Sequence, residues 1–96
     1  MKIKNGRFGS GVPDANWLLN EGTGDRAFTQ HIDFGEDLSE VPAVVLGITE
    51  LESTIDPVRV AVDAKNVNLR GFDAEIRTWS DTHVLSCGGF WIASTS

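Results

Sequence analysis

Apolar and polar residues alternate with a period of two through three stretches of this chain. Phe28, Gln30, Ile32 and Phe34 share one parity, set against Thr29, His31 and Asp33. Val58, Val60, Val62 and Ala64 alternate with Arg59, Ala61 and Asp63, and Phe72, Ala74, Ile76 and Thr78 alternate with Asp73, Glu75 and Arg77. Such a period belongs to an extended strand that sends every second side chain into a core, and a helix cannot satisfy it. Val41 to Leu51 and Val84 to Ala93 also read as strands, with apolar residues on both parities. Lys2 to Phe8 supplies a short N-terminal strand, and Asn16 to Asn20 is at most one helical turn. Six strands in 96 residues predict an all-β chain, a six-stranded antiparallel β-sandwich forming one domain over residues 1–96.

Turn chemistry separates these runs. Gly9-Ser10-Gly11 and Pro13-Asp14 end the first strand, Glu21-Gly22-Thr23-Gly24-Asp25 precedes the second, and Gly35-Glu36-Asp37 follows it. Asp56-Pro57 stands just before the strand at Val58, a place where proline is tolerated. Asn66, Asn68 and Gly71 mark the connection between two strands expected to pair as a hairpin.

The two runs without a polar face carry a separate message. One side of Val84–Ala93 offers Leu85, Cys87 and Trp91, and the other Val84, Phe90 and Ile92. In Val41–Leu51 the sides offer Val44, Leu46, Ile48 and Val45, Leu51. A sandwich has one interior, so the second apolar face must meet something else, and another copy of the chain is the expected partner. The alternative is that both strands are central and the long N-terminal loop covers them.

Charge narrows the partners. With 8 Lys+Arg against 14 Asp+Glu the net charge is −6, which argues against a nucleic-acid binder, since that needs a basic face, and against docking on anionic membranes. The apolar run from Val41 is broken by Pro42 and Gly47, far short of the ~20 residues of a membrane helix. The opening residues carry no apolar core of a signal peptide, so either the protein is made in a cytosol or a leader has been left out. A single cysteine, Cys87, excludes an intrachain disulfide.

Enzyme motifs fail on context. Gly22-Thr23-Gly24-Asp25-Arg26-Ala27 fits a dinucleotide-binding pattern, but a strand follows it where a helix is required. His83 and Cys87 lack further ligands for zinc, so no metal and no cofactor are expected. No nucleophile motif occurs, and pairing carboxylates among Glu36, Asp37, Glu50, Glu52 and Asp56 would be arbitrary.

Strand parity points to a different constellation. Arg59 and Trp79 both oppose the buried parity of their runs and so face outward. In a hairpin, Arg59 lies across from the Arg77–Trp79 end, and Ser80 and Asp81 join the same patch. An indole face suits the C–H face of a pyranose, while arginine and carboxylate suit its hydroxyls. The competing assignment has Trp79 filling an interface between chains and Arg59 forming a surface salt bridge.

The stretch Pro42-Ala43-Val44-Val45-Leu46-Gly47-Ile48-Thr49-Glu50-Leu51 resembles a strand of the H-type lectins, the family of snail agglutinins and the discoidin C-terminal domain. Val58-Arg59-Val60, Gly71-Phe72, Thr78-Trp79-Ser80-Asp81-Thr82 and Trp91-Ile92-Ala93 extend the resemblance in order and spacing, with Gly6-Arg7-Phe8 and Trp17 before them. It implies a sandwich assembling as a trimer or hexamer. It also implies pockets between chains for galactose-type glycans, N-acetylgalactosamine above all, without catalysis or metal. It further implies a secreted or surface-acting protein.

Residue by residue, Arg59 matches the sugar-binding arginine and Trp79 the tryptophan bordering the sugar. Gly24, Asp25 and Arg26 correspond to the glycine and acidic residue of the loop before the second strand. Ser80 stands where the snail lectin has a histidine reaching the acetamide, so that contact is lost, made through water, or taken over by Asp81 or His83. Leu85 replaces a tyrosine near the pocket. A second function class stays beside the lectin: an oligomerisation or adhesion module of a larger surface protein, without sugar affinity.

Overall fold

The computed structural model describes residues 1–54 and 57–96. Among them lie six strands and no helix: β1 (Ile3–Gly11), β2 (Arg26–Asp33), β3 (Ala43–Ser53), β4 (Ala61–Lys65), β5 (Gly71–Thr78) and β6 (Val84–Ser94). They form two antiparallel three-stranded sheets, ordered β1-β6-β3 and β2-β5-β4. The predicted sandwich and the β4–β5 hairpin are both present.

Parity works where it was cleanest. Phe28, Ile32, Phe72, Ala74, Ile76 and Thr78 are buried, and from the facing sheet Phe8, Cys87, Trp91 and Ala93 meet them. Phe34, Phe72 and Trp91 form an aromatic knot with centroids 5.5–6.0 Å apart, the Phe72–Trp91 pair edge to face. The β1–β2 connection adds Trp17 and Leu19 to this core. Trp17 packs 5.2 Å from Phe28, and its Nε1–H donates to the Val84 carbonyl at 2.9 Å, which removes the cost of burying an indole N–H.

Three boundaries differ from the sequence expectation. β1 runs on through Gly9-Ser10-Gly11, because these residues continue to pair with Gly88, Cys87 and Ser86 of β6. Val41 and Pro42 precede β3, and Val41 is exposed. Val58 to Val60 alternate like a strand but lie outside β4, whose ladder with β5 begins at Ala61 opposite Arg77. The Thr78 hydroxyl donates to the Arg59 carbonyl there, so a side chain extends the contact beyond the last backbone rung. Asp56 lies outside the described residues.

The face assignment of β6 also needs correction. Val84 is fully buried, on the side of Cys87 and Trp91 and not of Phe90 and Ile92. The register steps from Glu52 opposite Ser86 to Ser53 opposite Val84, so Leu85 is an extra residue, and a bulge of this kind reverses parity beyond it. β6 is central and β3 is at the edge of its sheet, yet none of the described residues covers their second face. Val45 is 60%, Phe90 36% and Ile92 41% exposed, joined by Ile3 on β1. Gly47 leaves the space that Phe90 needs, since a Cβ there would overlap the ring.

Candidate functional site

β2 pairs with β5 so that Arg26 opposes Thr78. The residue before β2 and the residue after β5 are therefore neighbours, and they are Asp25 and Trp79. Between them opens a cleft of about 190 Å³, lined by Asp25, Arg26, Ala27, Arg77, Thr78 and Trp79. Asp25 is exposed and Trp79 half-buried, so a carboxylate and an indole border one small recess. Arg77 carries its guanidinium over the Trp79 ring, 5.9 Å from the centroid, while ion-paired with Asp63 and Glu75.

The loop that supplies Asp25 is folded by backbone bonds. Gly22 and Gly24 adopt φ of 76° and 81°, a region glycine enters without steric cost. Gly24 N–H donates to the Ser80 carbonyl at 2.9 Å. Ser80 itself holds φ of 59°, which a residue with a side chain keeps only with support from its surroundings. His83 Nε2 lies 3.1 Å from the Gly22 carbonyl, and because a carbonyl only accepts, that nitrogen carries the proton. The guanidinium of Arg26 donates to the carbonyls of Gly24, Leu19, Glu21 and Ser80.

Arg59 lies two residues before the first rung of the β4–β5 ladder, Ala61–Arg77. Its Nη1 donates to Asp81 Oδ1 and to Thr82 Oγ1, both at 3.0 Å, and Thr82 passes its own proton to the Pro57 carbonyl. The salt bridge of the competing assignment thus exists, yet Nε and Nη2 of Arg59 keep three N–H donors outside it. The structure brings Asp25, Arg26 and Trp79 into the cleft. Gly24, Arg59, Ser80, Asp81 and His83 are not among its lining residues. Sequence reasoning passed over Arg77, although it shares Trp79's parity two positions away on the same strand face.

A larger and more open hollow of about 450 Å³ lies near Arg7, Gly9, Gln30 and Glu50, away from these residues. It lacks an exposed aromatic face, which makes the smaller cleft the better fit to a sugar ring. Among the described residues no group of three His, Cys, Asp or Glu side chains is placed to hold a metal ion. No helix among them is long and apolar enough to cross a membrane.

Comparison with known proteins agrees with this fold. The family model of the H-type lectin domain matches residues 29–94. A discoidin-1 chain of Dictyostelium discoideum is 28% identical over 81 residues, covering 82% of this chain and 32% of that protein. Discoidin-2 of the same organism is 31% identical over 68 residues, covering 69% of this chain and 26% of that protein. The structure of recombinant discoidin II superposes with a TM-score of 0.84 at 26% identity, covering 96% of this chain and 36% of that one. Two three-stranded antiparallel sheets are the fold this likeness shows, and the matched model is that of a lectin domain. The chain belongs to the H-type lectin domain family. It spans about a quarter to a third of the length of the discoidins it matches.

Proposed function

We propose that this domain binds terminal galactose-type sugars at the Asp25–Trp79 cleft and does so multivalently, as a trimer or hexamer. The observation that carries the reading is the pairing of β2 with β5, which sets a free carboxylate beside an indole in one recess. Asp25 accepts hydrogen bonds from two vicinal hydroxyls. Trp79 excludes water from the apolar face of the ring. Arg59 donates to a hydroxyl oxygen through the nitrogens that Asp81 and Thr82 do not occupy. Ser80, Asp81 and His83 do not line the cleft, so any contact of theirs with an acetamide would be made from outside it.

The uncovered face of Ile3, Val45, Phe90 and Ile92 supports self-association. A neighbouring chain there supplies a further wall to each site. A single small, polar ligand on a shallow site binds weakly, with Kd on the order of 0.1–1 mM. Several sites on one assembly raise avidity roughly 10²–10⁴-fold on a surface dense in the sugar.

A glycan array probed with labelled protein tests this. Binding to terminal galactose-type glycans, lost to free galactose or N-acetylgalactosamine, is the expected result. The ratio of the two competitors reads the consequence of Ser80. A blank array from the assembled protein would instead favour the oligomerisation-module reading.

A further inference from the structure

Four backbone carbonyls converge on one side chain at the start of β2. Arg26 Nε donates to Gly24 O at 3.0 Å, and Nη1 to Glu21 O at 2.9 Å and, more loosely, to Leu19 O at 3.4 Å. Nη2 donates to Ser80 O at 2.8 Å. A guanidinium has five N–H donors, and four of them are committed to the protein's own backbone. These are charge-assisted bonds, and their acceptors come from two separate loops, one before β2 and one after β5.

Both loops need such a tie. The first contains Gly22 and Gly24 in the left-handed region, a flexible sequence that is costly to order. The second turns at Ser80, also left-handed. The Ser80 carbonyl is where they meet, accepting from Arg26 Nη2 and from Gly24 N–H together. Asp25 is flanked by Gly24 and Arg26, and Trp79 directly precedes Ser80. Each wall of the cleft therefore hangs beside a group that the guanidinium holds.

The geometry points to Arg26 as a positioning residue of the sugar site: an internal cation that fixes the Asp25 carboxylate against the Trp79 indole without itself being the sugar contact. The inference rests on the cleft being the sugar site. Lysine cannot take this role, because its three donors radiate from one nitrogen and do not fork across carbonyls of two loops.

The test uses the full chain as wild type, Arg26→Ala and Arg26→Lys. Galactose affinity is measured by titration, protection of the Gly24 amide by hydrogen exchange, and assembly by sedimentation. Both variants are expected to lose at least tenfold in Gly24 protection and at least tenfold in affinity, with assembly unchanged. Millimolar ethylguanidinium should restore binding to Arg26→Ala, and ethylammonium should not. Arg26→Lys keeps the charge and the aliphatic stem, so it carries the comparison if Arg26→Ala does not fold. Unchanged Gly24 protection, or Arg26→Lys binding galactose within threefold of wild type, overturns the proposal. So does lost binding that ethylguanidinium fails to restore. A wild type that ignores galactose while Arg26→Ala still loses Gly24 protection would sink the sugar assignment and leave the clamp standing.

Discussion

Replacing Val45 by glutamate should dissolve the proposed assembly and leave the fold intact. Val45 pairs with Ile92 across the ladder on the outward face of its sheet, and it is 60% exposed in the single chain. Full burial of a valine-sized side chain is worth about 2 kcal/mol, so covering the remaining exposure contributes about 1 kcal/mol per protomer. A carboxylate in the same apolar contact costs at least about 2 kcal/mol more when left without a partner. A symmetric trimer repeats the change three times, and the loss approaches about 9 kcal/mol, more than a millionfold in the trimer formation constant. In the isolated chain the glutamate would meet solvent, so circular dichroism and tryptophan emission should match wild type. Sedimentation equilibrium at micromolar concentration is the deciding assay, with trimer or hexamer expected for wild type and monomer for Val45→Glu. A Val45→Glu protein that sediments like an assembled wild type would refute the assignment of this face as the contact between copies.

The other expectations are more local. Asp25→Asn should abolish galactose binding and agglutination without changing assembly, since the amide removes the charge and puts an NH2 donor where the second carboxylate oxygen accepts; retained agglutination would remove Asp25 from the site. Phe72→Ala should cost about 3–5 kcal/mol in urea unfolding, because Phe72 is fully buried between Phe34 and Trp91. Asp73 is held below the ordinary 3.8, chiefly by the Asn66 side-chain amide and then by His31. Its contribution to stability is therefore present above pH 3.8 and lost as pH falls through the lower folded value. Asn66→Ala should shrink the difference between urea midpoints at about pH 6 and about pH 3. Burial, with Glu50 nearby, pushes the Cys87 thiol up to about 11, so native protein at about pH 8 should react far more slowly with iodoacetamide than unfolded protein.

The strands and their two-layer packing were legible because strand parity reports a one-sided core, and β2 and β5 follow it residue by residue. Parity fails where an extra residue enters a ladder. Leu85 turns Val84 inward, and nothing in the string Thr82-His83-Val84-Leu85 announces a bulge. It fails again at Val58-Arg59-Val60, where the alternation continues but the ladder with β5 does not. Trp79 and Asp25 could be proposed from outward parity and from family resemblance, respectively. Their adjacency follows only once Arg26 is known to oppose Thr78. The work of Arg26 was not readable at all, because its partners are carbonyls, which every residue possesses and no side-chain pattern marks.

The start of β1 and the end of β6 run side by side. Ile3 opposes Ser94, Lys2 N–H donates to the Thr95 hydroxyl, and Thr95 N–H donates to the Lys2 carbonyl. A short peptide bridge between the start of β1 and the end of β6 would therefore close the domain into a ring without disturbing either strand. Reopening that ring in the Asn66–Arg70 turn would give a circular permutant with the same ladders in a new chain order. The domain is equally suited to insertion within a host protein, entered and left at a single point, so that its cleft could be grafted where a sugar-reading surface is wanted.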